Sequence, residues 1–342
     1  MNDALSHLPQ DWRDRLSERG QPSYRAGQIF AGLYKGSAFE EMSSLPKALR
    51  QDLAQAFGDP FPKVQARQRA RDGTEKFLWR FSDGSTAESV AMRYRYGASA
   101  CLSTQVGCRM GCAFCQTACD GLVRNLTGGE MAGQLLAMGR AIGRPFGHIV
   151  LMGMGEPLDN LDNVLRFFAL IRHPEGLRFS LRRLSLSTCG LEPGLLKLAE
   201  LALPVTLSVS LHAPDDATRS LLVPANRALP VAKLIGLCRM YQDKTGRRVT
   251  YEYVMIDDVT DKLEQAEQLT ALLHPGDHIN LIPLNPVSGA AFMPSSPKRV
   301  GAFANRLKQG GLNATVRRRL GAEINAACGQ LRMRQAAGQN GE

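Results

Sequence analysis

From about residue 98 the chain alternates β-like runs with helical patterns six times. The short runs are Ala100–Gln105, His148–Met152, Leu184–Ser187, Val205–Leu211, Val249–Met255 and His278–Pro283. Between them, Gly129–Ile142, Leu161–Arg172, Pro230–Lys244 and Lys262–Leu273 carry apolar residues at helical spacing. Such alternation demands parallel strands joined by right-handed crossovers. Six units are too few to close an eight-stranded barrel, so the predicted fold is α/β, an open partial (β/α)6 barrel over residues 98–320. In folds of this kind the functional groups sit where strands end and loops begin.

The flanks read differently. Residues 1–60 form a small helical unit, with helical spacing over Leu5–Glu18, Arg25–Leu33 and Leu45–Phe57. Pro60 and Pro62 end it. Residues 61–97 read as a β-hairpin connector, in which Ser82-Asp83-Gly84-Ser85 joins Phe77–Phe81 to Glu88–Met92. Asn313–Val316 reads as one more strand, and 321–342 as a tail whose last ten residues, rich in Gln, Gly and Ala, are expected to be disordered.

Lys and Arg outnumber Asp and Glu to give a net charge of +10. That balance suits a polyanionic partner, nucleic acid first, with a merely basic enzyme as the alternative. The sequence lacks a run of about eighteen apolar residues, so no membrane span is expected. Met1–Arg15 has acidic residues and no apolar core of a secretory signal, which points to a cytoplasmic protein.

Five of the eight cysteines fall within nineteen residues: Cys101, Cys108, Cys112, Cys115 and Cys119. In a chain without a secretory signal such crowding reads as metal or redox chemistry. Cys108, Cys112 and Cys115 are spaced Cys-x-x-x-Cys-x-x-Cys. Three thiolates on one loop can hold three irons of a [4Fe–4S] cube and leave the fourth open to a substrate. Cys119 leaves a second reading open, a closed four-thiolate site for electron transfer or structural zinc. The open spacing resembles that of the radical S-adenosylmethionine (SAM) superfamily.

Further candidates fall on the rim. Gly153-Met154-Gly155-Glu156-Pro157 ends the second strand, with glycines that admit close approach of a ligand and a carboxylate suited to an ammonium group. Ser187 ends the third strand, Ser210-Leu211-His212 the fourth, and Asn285 follows the sixth. Each taken singly also fits a turn or cap. Cys328 stands in the tail among Gly and polar residues, which is no obvious core position.

The segment Cys101-Leu-Ser-Thr-Gln-Val-Gly-Cys108-Arg-Met-Gly-Cys112-Ala-Phe-Cys115 resembles the RlmN/Cfr family of radical SAM ribosomal RNA methyltransferases. Arg124-Asn125-Leu126, the Gly153–Pro157 turn, Ser210-Leu211-His212-Ala213-Pro214 and Ala326-Ala327-Cys328-Gly329-Gln330-Leu331 are similar to it too, so the likeness runs from about Tyr24 to Leu331.

The resemblance implies methylation of a ring carbon of adenine, one too electrophilic for ordinary SAM alkylation. Cys328 would take a methyl group from one SAM, a radical derived from a second SAM would activate it, and Cys101 would resolve the resulting protein–RNA adduct by forming a disulfide with Cys328. Glu88, thirteen residues before Cys101, would accept a proton. Cys108, Cys112 and Cys115 would ligate the cluster, and Gly155, Glu156, Ser187, Ser210, Leu211, His212 and Asn285 would contact SAM. The implied partners are RNA, an external one-electron donor and a thiol reductant, and the implied enzyme is a monomer. Arg67, Arg69, Arg71, Arg317, Arg318, Arg319, Arg332 and Arg334 would contact RNA phosphates or form a solvated face. Carbon 2 of an adenine in 23S rRNA is the expected target, with tRNA a further candidate. Carbon 8 of that adenine is the alternative, and a non-catalytic iron–sulfur protein the remaining one. Cys119 and Cys189 depart from the family pattern, Cys189 standing where serine is common.

Overall fold

The computed structural model describes residues 3–285 and 292–331. Arg332, Arg334 and the last ten residues lie outside the described residues. Among the described residues there are twelve strands: β1 (Lys63–Arg69), β2 (Glu75–Arg80), β3 (Thr86–Tyr94), β4 (Gly97–Cys101), β5 (Gln105–Gly107), β6 (Leu122–Asn125), β7 (His148–Leu151), β8 (Leu184–Thr188), β9 (Thr206–Ser210), β10 (Val249–Met255), β11 (His278–Pro283) and β12 (Asn313–Val316). Ten of them make one sheet, in the order β1-β2-β3-β4-β7-β8-β9-β10-β11-β12. From β4 to β12 every neighbour is parallel. The order follows the sequence without closing on itself, which is the open β/α arrangement expected.

The crossovers are α4 (Gly128–Ile142), α5 (Leu161–Arg172), α6 (Glu192–Leu201), the pair α7 (Asp216–Leu222) and α8 (Val231–Thr245), α9 (Leu263–Leu272) and α10 (Pro297–Gln309), numbered after α1 (Pro9–Ser17), α2 (Arg25–Tyr34) and α3 (Lys47–Phe57) in the N-terminal region. Their starts are chemically marked. Thr127 Oγ1 accepts from Glu130 N at 3.0 Å while Glu130 Oε2 accepts from Thr127 N at 2.9 Å, a reciprocal cap for α4. Ser296 Oγ accepts from Arg299 N ahead of Pro297 and begins α10. On α5, Val164, Phe167, Phe168 and Ile171 are buried in the main hydrophobic core, each contributing roughly 1.5–3 kcal/mol relative to exposure.

Two local readings change. The run Ala100–Gln105 is split: β4 ends at Cys101, because the Gln134 carboxamide of α4 takes both the N–H and the C=O of Ser103. The connector holds three strands, not two. β1 was missed since all seven of its residues are exposed, so it lacks the apolar alternation of a half-buried strand. β1–β3 continue the barrel sheet, with Val90 opposite Cys101 across the β3–β4 pair.

The N-terminal helices gather around Trp12, Phe39 and Phe57, with ring centroids 5.2–6.2 Å apart. Arg166 of α5 ties them to the barrel, bonding Ser6 O at 2.8 Å and the Asp11 carboxylate. Among the described residues no helix is long and apolar enough to cross a membrane.

Candidate active site

The C-terminal ends of the parallel strands surround a cavity of about 160 Å³. Its first wall is the loop between β5 and β6, which pair antiparallel and pinch the loop shut. Gly107 sits at the pinch with φ +78, and a Cβ there would lie 1.9 Å from Gly121 O, so only glycine lets the loop close. Cys108 N donates to Gly121 O at 2.8 Å, and Ala113 N donates to Leu222 O at 2.9 Å, anchoring the loop to α7.

Cys108, Cys112 and Cys115 all line this cavity. Burial pushes their thiols up, that of Cys108 to about 12, so all three must shed protons to bind a metal. Cys119 is exposed and lies off the cavity wall. The loop therefore presents three soft thiols to one cavity and leaves a fourth coordination position to something else, the donor set of an open iron–sulfur site.

The facing wall is built by the strand ends. Gly155 has φ +102, and a Cβ on it would come within 2.6 Å of Gln105, whose Oε1 accepts from Glu156 N at 2.8 Å. The Glu156 carboxylate is buried, and its Oε1 and Oε2 accept from Leu158 N and Cys189 N, each at 2.9 Å. Burial raises its proton affinity, and these backbone bonds oppose the rise. Ser187, Ser210, His212 and Asn285 line the same space. Leu211 does not; it is buried, and its backbone N–H and C=O are bonded to Glu252 O and Arg219.

His212 adopts φ +60, uncommon for a residue with a Cβ. Its Nδ1 accepts from Val254 N at 3.1 Å, and its ring meets Phe114 of the cysteine loop edge-on at 4.8 Å. Burial, with the nearby Arg219 charge, lowers its pKa to about 3, so the imidazole is neutral. Arg219 itself is fully buried and was not anticipated. Its guanidinium donates to Cys189 O, Ser210 O, Leu211 O and Asn226 Oδ1 at 2.6–3.0 Å, which binds the ends of β8 and β9 together. Its one sequence signal is an arginine just inside the helix after Ser210-Leu211-His212.

The tail forms the roof. Asn285 Nδ2 donates to Cys328 O at 3.2 Å, Gln116 N to Gly329 O at 2.7 Å and Thr117 Oγ1 to Leu331 O at 2.6 Å. The cysteine loop thus holds the tail directly, and Cys328 and Gly329 line the cavity. A second, smaller cavity of about 40 Å³ lies behind Cys328 and contains Cys101. Cys328, Arg317, Asn285, Met152 and Ile282 belong to both. Burial, then the charge of Cys328, pushes the Cys101 thiol up to about 12.

Glu88 lines neither cavity. It is buried on β3 and paired with Lys76 at 3.1 Å, whose ammonium also donates to Asn325 O in the tail at 3.3 Å. Of the arginines expected on an RNA face, Arg67 is paired with Glu75 and Arg71 with Glu323, while Arg317 turns inward.

Residues 102–270 match the Radical SAM superfamily. The chain is 46% identical to a "Probable dual-specificity RNA methyltransferase RlmN" of Symbiobacterium thermophilum, over 95% of this chain and 90% of the relative. It is 48% identical to a protein of the same description from Desulforudis audaxviator, over 86% and 93%. The crystal structure of a radical SAM methyltransferase from Sphaerobacter thermophilus superposes with a TM-score of 0.91 at 43% identity, covering 96% of this chain and 98% of that one.

Proposed function

We propose that this chain, which belongs to the RlmN/Cfr family of radical SAM RNA methyltransferases, methylates carbon 2 of an adenine in 23S rRNA, with tRNA as a second substrate. It is a SAM-dependent methyltransferase. The observation that supports chemistry through two cysteines is the shared wall between the two cavities: Cys328 lines the cavity of the three-cysteine loop and also the smaller cavity that contains Cys101; this arrangement serves methylation at carbon 2 or carbon 8 alike, and carbon 2 follows the description of the relatives as RlmN.

Cys108, Cys112 and Cys115 would hold a [4Fe–4S] cluster, which together with SAM supplies a 5′-deoxyadenosyl radical when both are bound. Gly155 opens the wall for the methionine part of SAM, and Glu156, fixed by Leu158 N and Cys189 N, directs a carboxylate at its ammonium. Ser187, Ser210, neutral His212 and Asn285 offer uncharged polar contacts to its remaining groups, and Leu211 supports them from behind the wall. Cys328 accepts a methyl group on sulfur, presents it for hydrogen abstraction and carries it to the adenine. Burial keeps Cys101 a thiol at rest; as it gives up its proton its sulfur bonds to that of Cys328, the bond from Cys328 sulfur to the methylene carbon breaks with its electron pair passing to the methylated adenine, and an external thiol reductant resets the disulfide. Glu88 accepts a proton, its carboxylate held by Lys76 beside the tail. Arg69, Arg318 and the other exposed cations approach the phosphates, and the target base leaves its stack to reach Cys328.

The test is anaerobic turnover of reconstituted protein with SAM, a reductant and unmodified 23S rRNA or tRNA, followed by nucleoside mass spectrometry. The expected product is 2-methyladenosine. 8-methyladenosine would move the chain to the Cfr type, and neither product from a SAM-cleaving cluster would sink the assignment.

A further inference from the structure

Between the end of β12 and Cys328 the tail is seated on the turn that joins β1 to β2. That turn, residues 70–74, closes on itself, Ala70 N donating to Thr74 O at 2.8 Å and Gly73 N to Ala70 O at 3.0 Å. Its outer edge meets residues 321–325. Asp72 Oδ2 accepts from Gly321 N and Asp72 Oδ1 from Thr74 N, each at 2.9 Å, so one carboxylate joins turn and tail. Arg71 N donates to the Glu323 carboxylate, and the Arg71 guanidinium approaches the same group at 3.8 Å. Gly321 has φ +64, and a Cβ on it would come within 2.8 Å of Thr74 Cγ2 and of Ala326 Cβ, so the tail backbone lies directly against the turn.

Just past the turn, Lys76 of β2 is buried with its charge paired to Glu88 of β3 at 3.1 Å. An ammonium carries three donors, and burial leaves each in need of an acceptor. The tail supplies one, Asn325 O at 3.3 Å, three residues before Cys328. Beyond Cys328 the hold is of another kind: Gln116 N and Thr117 Oγ1 of the cysteine loop donate to Gly329 O and Leu331 O. Cys328 therefore stands between two anchors, the cysteine loop on one side and the β1–β2 turn with Lys76 on the other. Arg71, Asp72 and Lys76 line neither cavity, so whatever they do for the reacting sulfur they do through the tail.

We propose that the β1–β2 turn is the dock of the tail, and that Asp72 and Lys76 are positioning residues that set where the Cys328 sulfur stands against the larger cavity. This rests on the reading of Cys328 as methyl acceptor. In that step the Cys328 sulfur forms a bond to the methyl carbon of SAM while the bond from that carbon to the sulfonium breaks. The electron pair stays on the SAM sulfur, the thiol proton goes to solvent, and S-adenosylhomocysteine leaves. Attack of this kind needs attacking sulfur, carbon and leaving sulfur in line, and a misplacement of about 1 Å can cost about a hundredfold in rate. With the loop anchor alone, the segment carrying Cys328 is free to pivot at Gly329, which has φ +82. The dock removes that freedom.

The experiment compares Asp72→Ala, Asp72→Asn and Lys76→Met with the native chain, each full length, cluster-loaded and with no methyl group on Cys328. Asp72 is exposed, so its loss spares the barrel core. Lys76→Met also takes the ammonium from the buried Glu88 carboxylate, and Asp72→Ala carries the test alone if that variant does not fold. Methylation of Cys328 is timed by mass spectrometry of the tryptic peptide 320–332, which holds this one cysteine. The rate at saturating SAM is expected to fall about tenfold or more in Asp72→Ala, with the half-saturating SAM concentration unchanged. Deuterium exchange over 320–331 should quicken while that of the cysteine loop does not. Asp72→Asn keeps one acceptor oxygen and should recover part of both effects. A native methylation rate in Asp72→Ala overturns the inference, as does native exchange in the tail. SAM binding that weakens in step with the rate would mark a general loss of the cavity and overturn it as well. Failure of the native chain to methylate Cys328 from SAM would sink the underlying reading instead, and the exchange difference would still decide whether the turn docks the tail.

Discussion

Replacing Arg219 by methionine tests how the rim of the larger cavity, the proposed SAM site, is held. The arginine is fully buried and donates to four oxygens: Leu211 O at 3.0 Å, Asn226 Oδ1 at 2.9 Å, Cys189 O at 2.6 Å and Ser210 O at 2.9 Å. Methionine fills similar length and donates nothing. A charge-assisted hydrogen bond contributes about 1.5–3 kcal/mol net, and four would sum to roughly twice the real loss, because the substitution also removes a buried cation that was costly to desolvate. About 3–5 kcal/mol is the expected destabilisation. At about 2 °C per kcal/mol for a chain of this size, the melting temperature should fall by about 6–10 °C. The effect should also reach the ligand. Cys189 N holds Glu156, and Ser210 lines the cavity, so SAM should bind at least tenfold more weakly. Thermal melts by circular dichroism and equilibrium dialysis of SAM with cluster-loaded protein measure both. A melting temperature within about 2 °C of native, with unchanged SAM affinity, would refute the claim that this one guanidinium fixes the ends of β8 and β9.

Cys108→Ala should abolish cluster assembly while Cys119→Ala leaves it intact, read as iron and sulfide content after reconstitution; loss of assembly in both variants would restore the closed four-thiolate reading, and loss in Cys119→Ala alone would refute the open site. Cys101→Ala should leave methylation of Cys328 intact and trap a covalent protein–RNA species, visible as a shifted band on a denaturing gel; normal turnover would remove Cys101 from the mechanism. For His212 the folded pKa, about 3, is depressed below the unfolded value of 6.5. The unfolded chain therefore binds the extra proton between these values, and stability present above pH 6.5 is lost as pH falls toward about 3. His212→Asn, which tolerates the left-handed backbone, should flatten that part of the acid-unfolding curve; an unchanged slope would show that the imidazole is not buried neutral.

The barrel was legible because its signals are local. Six apolar runs and the helices between them repeat along the chain, and a parallel crossover has one favoured hand. The split after Cys101 was not, since it depends on Gln134, thirty-one residues away, capturing the Ser103 backbone. β1 escaped because an exposed strand leaves no pattern.

The same division runs through the site. Cys108, Cys112 and Cys115 were readable from spacing alone, because one short loop brings its own thiols together. Gly155, Glu156, Ser187, Ser210, His212 and Asn285 followed from their places at strand ends. Cys328 and Cys101 are far apart in the chain, and motif likeness singled them out without placing them; the fold brings both to the smaller cavity, with Cys328 also lining the larger one. Arg317 was grouped with Arg318 and Arg319 as a surface cation, and Arg219 drew no notice at all. Arginine is exposed by default, and nothing in its neighbours along the chain says otherwise. Burial of a charge is decided by which distant oxygens packing brings within reach, so sequence alone determined the three-cysteine loop and the barrel that carries it, while tertiary structure decided that Arg219 holds the rim and that Arg317 turns inward to the cavity.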